Sequence, residues 1–152
     1  MSVFGLALAT AIGFVPPASA EPPAHVSCSN RPYEIDVTVT GVTRSVGLVT
    51  AELYPDVRDV FLRGPGRIEI ARYAAKAPET RFCLHAPGRG RYAVSVYHDE
   101  NANTDFDRRI FGLPAEPWGL SNNPPVRLRK PDLEDSLFPV DGNGAKITIK
   151  LH

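Results

Sequence analysis

The sequence predicts an all-β domain, an antiparallel β-sandwich of about seven strands, and three observations predict it. Apolar and polar residues alternate with period two in short runs. Clusters of Gly, Pro, Asn and Asp punctuate those runs at regular intervals. Fifteen prolines in 152 residues leave no amphipathic stretch of three helical turns.

The elements follow in order. Ile35, Val37 and Val39 alternate with Asp36, Thr38 and Thr40, the pattern of a half-buried strand. After a turn around Gly41 to Ser45, Val49, Ala51 and Leu53 form the next apolar row. Ile68 and Ile70 open a third element behind the Gly64-Pro65-Gly66 turn. Phe82 and Leu84 make a fourth row, with Arg81, Cys83 and His85 on the opposite face. Pro87-Gly88-Arg89-Gly90 reads as a hairpin turn into Tyr92, Val94 and Val96, a row that His98 continues. The last strand alternates Ile147, Ile149 and Leu151 with Lys146, Thr148 and Lys150, after a turn at Asp141-Gly142-Asn143-Gly144.

Residues 1–20 read as a signal peptide. An apolar run from Val3 to Val15 precedes Pro16-Pro17 and the small residues Ala18-Ser19-Ala20. No Lys or Arg precedes the run, and an uncleaved interfacial anchor is the competing reading. Residues 21–32 form a tether and 33–152 the sandwich domain. The expected location is periplasmic or secreted, with no stable membrane insertion once the leader is cleaved.

Lys plus Arg balance Asp plus Glu at 17 each, so no global field favours nucleic acid, which is not an expected partner. Cys28 and Cys83 suit an oxidising compartment, and Cys83 faces away from the core, where a tethered Cys28 could reach it. Their pairing as a disulfide is the expectation; two free thiols are the alternative.

From Asp99 to Pro131 no strand is evident, yet the segment is too long and too apolar for a free linker. It holds Phe106, Phe111, Leu113 and Trp118. It is expected to pack as an ordered loop on one end of the sandwich. Its start is dense in oxygen donors: Asp99, Asn101, Asn103, Asp105 and Asp107 recur at every second position. Calcium takes six to eight such oxygens, and the first, third, fifth and ninth positions follow a calcium-loop pattern. Thr104 stands where such a loop has its turn glycine and Ile110 where it has its closing glutamate, so this is not an EF-hand. Glu116 is the nearest carboxylate able to replace that glutamate. The competing reading is a polar turn in which Asp and Asn side chains cap backbone amides.

The run Tyr92-Ala93-Val94-Ser95-Val96-Tyr97-His98-Asp99-Glu100-Asn101-Ala102-Asn103, then Asp107, then Gly112-Leu113-Pro114-Ala115-Glu116-Pro117-Trp118-Gly119-Leu120-Ser121-Asn122, resembles a bacterial exported family catalogued as domain of unknown function 2141. The resemblance spans about residues 33 to 151. It implies a transthyretin-like or carboxypeptidase-regulatory-like sandwich and brings no established activity. Trp118 and Leu120 stand where Tyr and Phe are common in that motif, and Thr104 where glycine is frequent.

The sequence admits three function classes. A hydrolase would use carboxylates of the 98–118 segment such as Glu100 and Glu116, but no recognisable catalytic constellation accompanies them. His98, on the inward row, is expected to cap the core edge and bond a loop carbonyl. A binding module would present Tyr97 and Trp118 to an envelope protein, a peptide or a glycan. A structural envelope protein stiffened by calcium is the third class. Exposure of Trp118 beside an open groove would favour the binding module.

Overall fold

The computed structural model describes residues 26–127, 129 and 131–152, so the leader and residues 21–25 of the tether lie outside the described residues. Eight strands form two facing sheets, with no α-helix among the described residues. They are β1 (Glu34–Thr40), β2 (Leu48–Pro55), β3 (Glu69–Ala74), β4 (Glu79–His85), β5 (Gly90–Asp99), β6 (Trp118–Leu120), β7 (Phe138–Val140) and β8 (Ala145–Lys150).

The smaller sheet has the order β4-β1-β8, and the larger has β3-β2-β5-β6 with β7 also pairing β5. All pairs are antiparallel except β1 with β8, which run parallel from Ile35 opposite Ala145 to Thr40 opposite Lys150. β4 and β5 belong to different sheets, so the turn at 87–90 is a corner between layers rather than a hairpin.

The core lies where alternation places it. Ile35, Val37 and Val39 face Val49, Ala51 and Leu53 across the sandwich with Phe82, Leu84, Val94 and Ile149, all fully buried. Each of the Val, Leu, Ile and Phe side chains is worth about 1.5–3 kcal/mol on leaving water. β3 departs from expectation: Ile68 and Ile70 lie toward solvent, and Ala71 and Tyr73 pack on the core instead. Tyr73 stacks on Phe82 at 4.5 Å between ring centroids.

A second apolar cluster covers the outer face of the larger sheet. Tyr54, Ala93 and Leu120 point outward from β2, β5 and β6 and meet Phe61, Leu133 and Leu137 from the connections. The 99–131 segment therefore contains a strand, β6, and it lies over this sheet face rather than on the sandwich end. Ser121 and Asn123 fasten the arrangement. Ser121 Oγ accepts the Val94 amide and donates to the Ser136 carbonyl. Asn123 accepts the Lys150 amide at 2.7 Å and donates to the Thr148 carbonyl, joining the end of β6 to β8 in the opposite sheet.

Cys28 and Cys83 form a disulfide with 5.5 Å between Cα atoms. Cys83 sits on the outer face of β4, and the Val26 amide donates to the Arg81 carbonyl beside it. The bond closes a separation of 55 residues, which chain-entropy reasoning values at about 4 kcal/mol.

Candidate functional site

β5 ends by delivering His98 and Asp99 to opposite faces. His98 is wholly buried, and its Nε2 lies 2.8 Å from the Val46 carbonyl, the loop contact expected of it. A carbonyl only accepts, so Nε2 carries the hydrogen. Nδ1 has no hydrogen-bond partner, and Glu100 Oε1 stands 3.9 Å from it.

Asp99 is also wholly buried, and both its oxygens are taken by the loop's own backbone. Oδ1 accepts the Asn103 amide at 3.1 Å and Oδ2 the Thr104 amide at 2.8 Å. Asn101 Oδ1 accepts the Asn103 amide, and Asn103 Oδ1 accepts the Asp105 amide. The side-chain amides of Asn101 and Asn103 both donate to Asp107. Alternate spacing thus produces a chain of Asx turns, in which each side chain satisfies an amide that no strand can. Thr104 takes the left-handed conformation a glycine would, at φ 68. Asp105 contributes its amide to this network; its side chain is exposed.

Glu116 joins the loop from the far side. Its Oε2 accepts the Asp107 amide at 3.1 Å, while Oε1 is buried without a hydrogen-bond partner. The residue is 8% exposed. Burial, then the charges of Asp99, Asp107 and Glu100, hold its carboxyl above the ordinary value, against the Asp107 amide that lowers it. The structure therefore gathers Asp99, Asn101, Asn103, Asp107 and Glu116 into one bonded unit. Among the described residues, three Cys, His, Asp or Glu ligand atoms come within 4.8 Å of one another only at Cys28, Glu34 and Cys83, where the sulfurs are already bonded together.

A cleft opens beside this loop on the outer face of the larger sheet. Its inner hollow, about 170 Å³, is floored by Glu52, Tyr54, Ser95 and Tyr97 and walled by Phe106, Arg108 and Trp118. The outer hollow, about 550 Å³, shares Leu62, Arg108 and Trp118 and adds Arg63, Arg127 and Arg129. Trp118 is half-buried between the two. The floor is fixed: Glu52 accepts from Tyr54 Oη, Ser95 Oγ and Arg67. Burial and then Glu52 push the Tyr54 phenol far above its ordinary range, so it stays a donor. Phe106 lies 5.1 Å from the Tyr97 ring, and the Arg108 guanidinium sits 5.1 Å over the Phe106 ring. Tyr97 and Trp118, the aromatics the sequence singles out, both line the inner hollow. Glu52, Ser95 and Arg67 were not legible, because strands far apart in the chain bring them together; their polar alternation with Leu53 and Val94 was the available signal.

A family model described as "Uncharacterized protein conserved in bacteria (DUF2141)" matches residues 37–148. No curated protein and no solved structure matches the chain.

Proposed function

From the premise that the chain belongs to the DUF2141 family of uncharacterized bacterial proteins, we propose that it is an exported, non-catalytic binding module whose cleft takes an anionic segment of a glycan or an envelope peptide. The observation that carries this reading is Trp118, half-buried where the two hollows join. Aromatic walls with a few immobilised polar groups are what small-ligand sites are made of. Arginines at the mouth favour an anion, which their planar donors bind in pairs. Export is supported by the apolar leader with its Ala-Ser-Ala end and by a disulfide, a bond that persists in oxidising compartments.

Trp118 is the only tryptophan, so its fluorescence reports the cleft directly. Titration with anionic oligosaccharides and with acidic peptides should give a saturable shift for one class, weakened about tenfold by Arg108→Gln. No shift with either class refutes the reading.

A second reading concerns the loop, and the orphaned Glu116 Oε1 favours it. A calcium ion would draw on Asp99, Asn101, Asn103, Asp105, Asp107 and Glu116. The donor chemistry fits a hard cation, and the oxygens that accept one amide keep a second lone pair. Calcium at a hundred times its dissociation constant should stabilise the fold by about 2.7 kcal/mol, seen as a thermal shift that chelator reverses and Glu116→Gln abolishes. An unchanged melt at millimolar calcium removes the ion.

A further inference from the structure

Between β5 and β6 stand the two most exposed large apolar side chains among the described residues, Ile110 and Phe111, with Leu113 beside them. Ile110 is 81% exposed, Phe111 97% and Leu113 50%. They stand on a closed tip, not a loose loop. Arg108 bridges Pro114, the Arg109 amide donates to the Leu113 carbonyl at 2.7 Å, and the Gly112 amide donates to the Arg109 carbonyl. The Arg108 guanidinium donates to the Gly112 carbonyl. Phe111 holds φ 71, a conformation unfavourable for a bulky residue, and the ring it presents touches solvent on nearly every side. Strain kept in order to show an aromatic ring to water calls for a partner.

Cations surround that apex. Arg108 and Arg109 immediately precede it in sequence, and Arg63, Arg127 and Arg129 line the hollow that Phe111 and Leu113 also line. Among the described residues only Arg129 of these five has an acidic partner, Asp132. The chain as a whole is neutral, so this basic collar is a local feature and not a by-product of composition.

We propose that the tip is a peripheral membrane anchor: Ile110, Phe111 and Leu113 enter the headgroup boundary of an anionic bilayer while the arginine collar meets its phosphates. A convex apolar point ringed by cations is complementary to a bilayer surface, which is apolar beneath and negative above. The inference goes beyond the cleft reading, because it requires no ligand beside Trp118. It adds surface attachment without a spanning segment.

The test is sedimentation of the disulfide-intact protein with vesicles of phosphatidylcholine alone, or with roughly one third phosphatidylglycerol. Binding is expected on the anionic vesicles only, and it should fall steeply with salt. Phe111→Asp should lower the partition coefficient roughly tenfold or more. Arg109→Gln with Arg127→Gln should lower it roughly twenty-five-fold, at about fivefold per charge. Neither variant should lower the thermal melt, since these side chains are exposed. Glu52→Gln, which alters the cleft floor, should leave vesicle binding unchanged, so failure of the cleft reading and of this one are separable. Absence of binding to either vesicle overturns the proposal, as does binding that Phe111→Asp leaves intact. Polyglutamate that binds while vesicles do not would assign the arginines to an acidic protein chain and overturn it equally.

Discussion

His98 Nε2 donates to the Val46 carbonyl at 2.8 Å, tying the loop before β2 to the end of β5. The contact joins the inward apolar row to the connection that covers it. His98→Ala leaves a cavity and a carbonyl without its donor, and should cost about 2–5 kcal/mol in urea unfolding. A loss below about 0.5 kcal/mol would show the ring to be dispensable there.

Next to that contact, Gly47 sits at φ 67, and a Cβ on it would lie 2.0 Å from the Asp99 carbonyl. Neither the conformation nor the space admits a side chain. Gly47→Ala should destabilise the fold by more than the roughly 1 kcal/mol that left-handed backbone alone costs, seen as a lowered melting temperature.

Thr104 offers the opposite case. It is β-branched, left-handed and exposed, and its amide is what the Asp99 carboxylate requires. Thr104→Gly keeps the amide and relieves the backbone, so stability should rise by about 1 kcal/mol. An unchanged melt would mean that the entropy glycine loses on folding offsets the relief.

Glu116 should impose a pH dependence of its own. Its folded value is raised above the ordinary 4.5, so the folded state holds the proton more tightly than the unfolded chain. That stability is present below pH 4.5 and is lost as pH rises through the folded value. In chelator, Glu116→Gln should therefore gain on the parent protein as pH increases from 4 toward 7, measured by melts across that range. A constant difference would show that burial does not disfavour the carboxylate.

The disulfide is testable without a ligand. Intact mass before and after reduction, followed by alkylation, should show two thiols appearing together. Replacing both cysteines with alanine should cost about 2–4 kcal/mol and free the strip that Val26 lays against Arg81.

The inner rows of β1, β2 and β4 were readable because each alternates for five residues, and that of β5 from Val94 and Val96 on either side of Ser95, although both its faces are buried. β6 and β7 were not, since three residues carry no period. Ile68 and Ile70 misled for a physical reason. Outward positions on β3 are half-covered by neighbours, and branched side chains suit a strand whichever face they occupy. The Asp/Asn loop was legible as a unit. Its internal division was not: sequence could not tell that Asp99 spends both oxygens on amides while Glu116 keeps one unpartnered. Tyr54 and Phe61 likewise gave no sign of a second apolar layer, because their meeting, edge to face at 5.6 Å, depends on how one connection folds back.

The pairing of β1 with β8 has a kinetic consequence. Ile35 finds Ala145 only after nearly all the intervening chain exists, and the middle strand of the smaller sheet must wait with one edge bare. Contacts of such separation form late and slowly. Closure of the smaller sheet is therefore the last and slowest step that this topology sets.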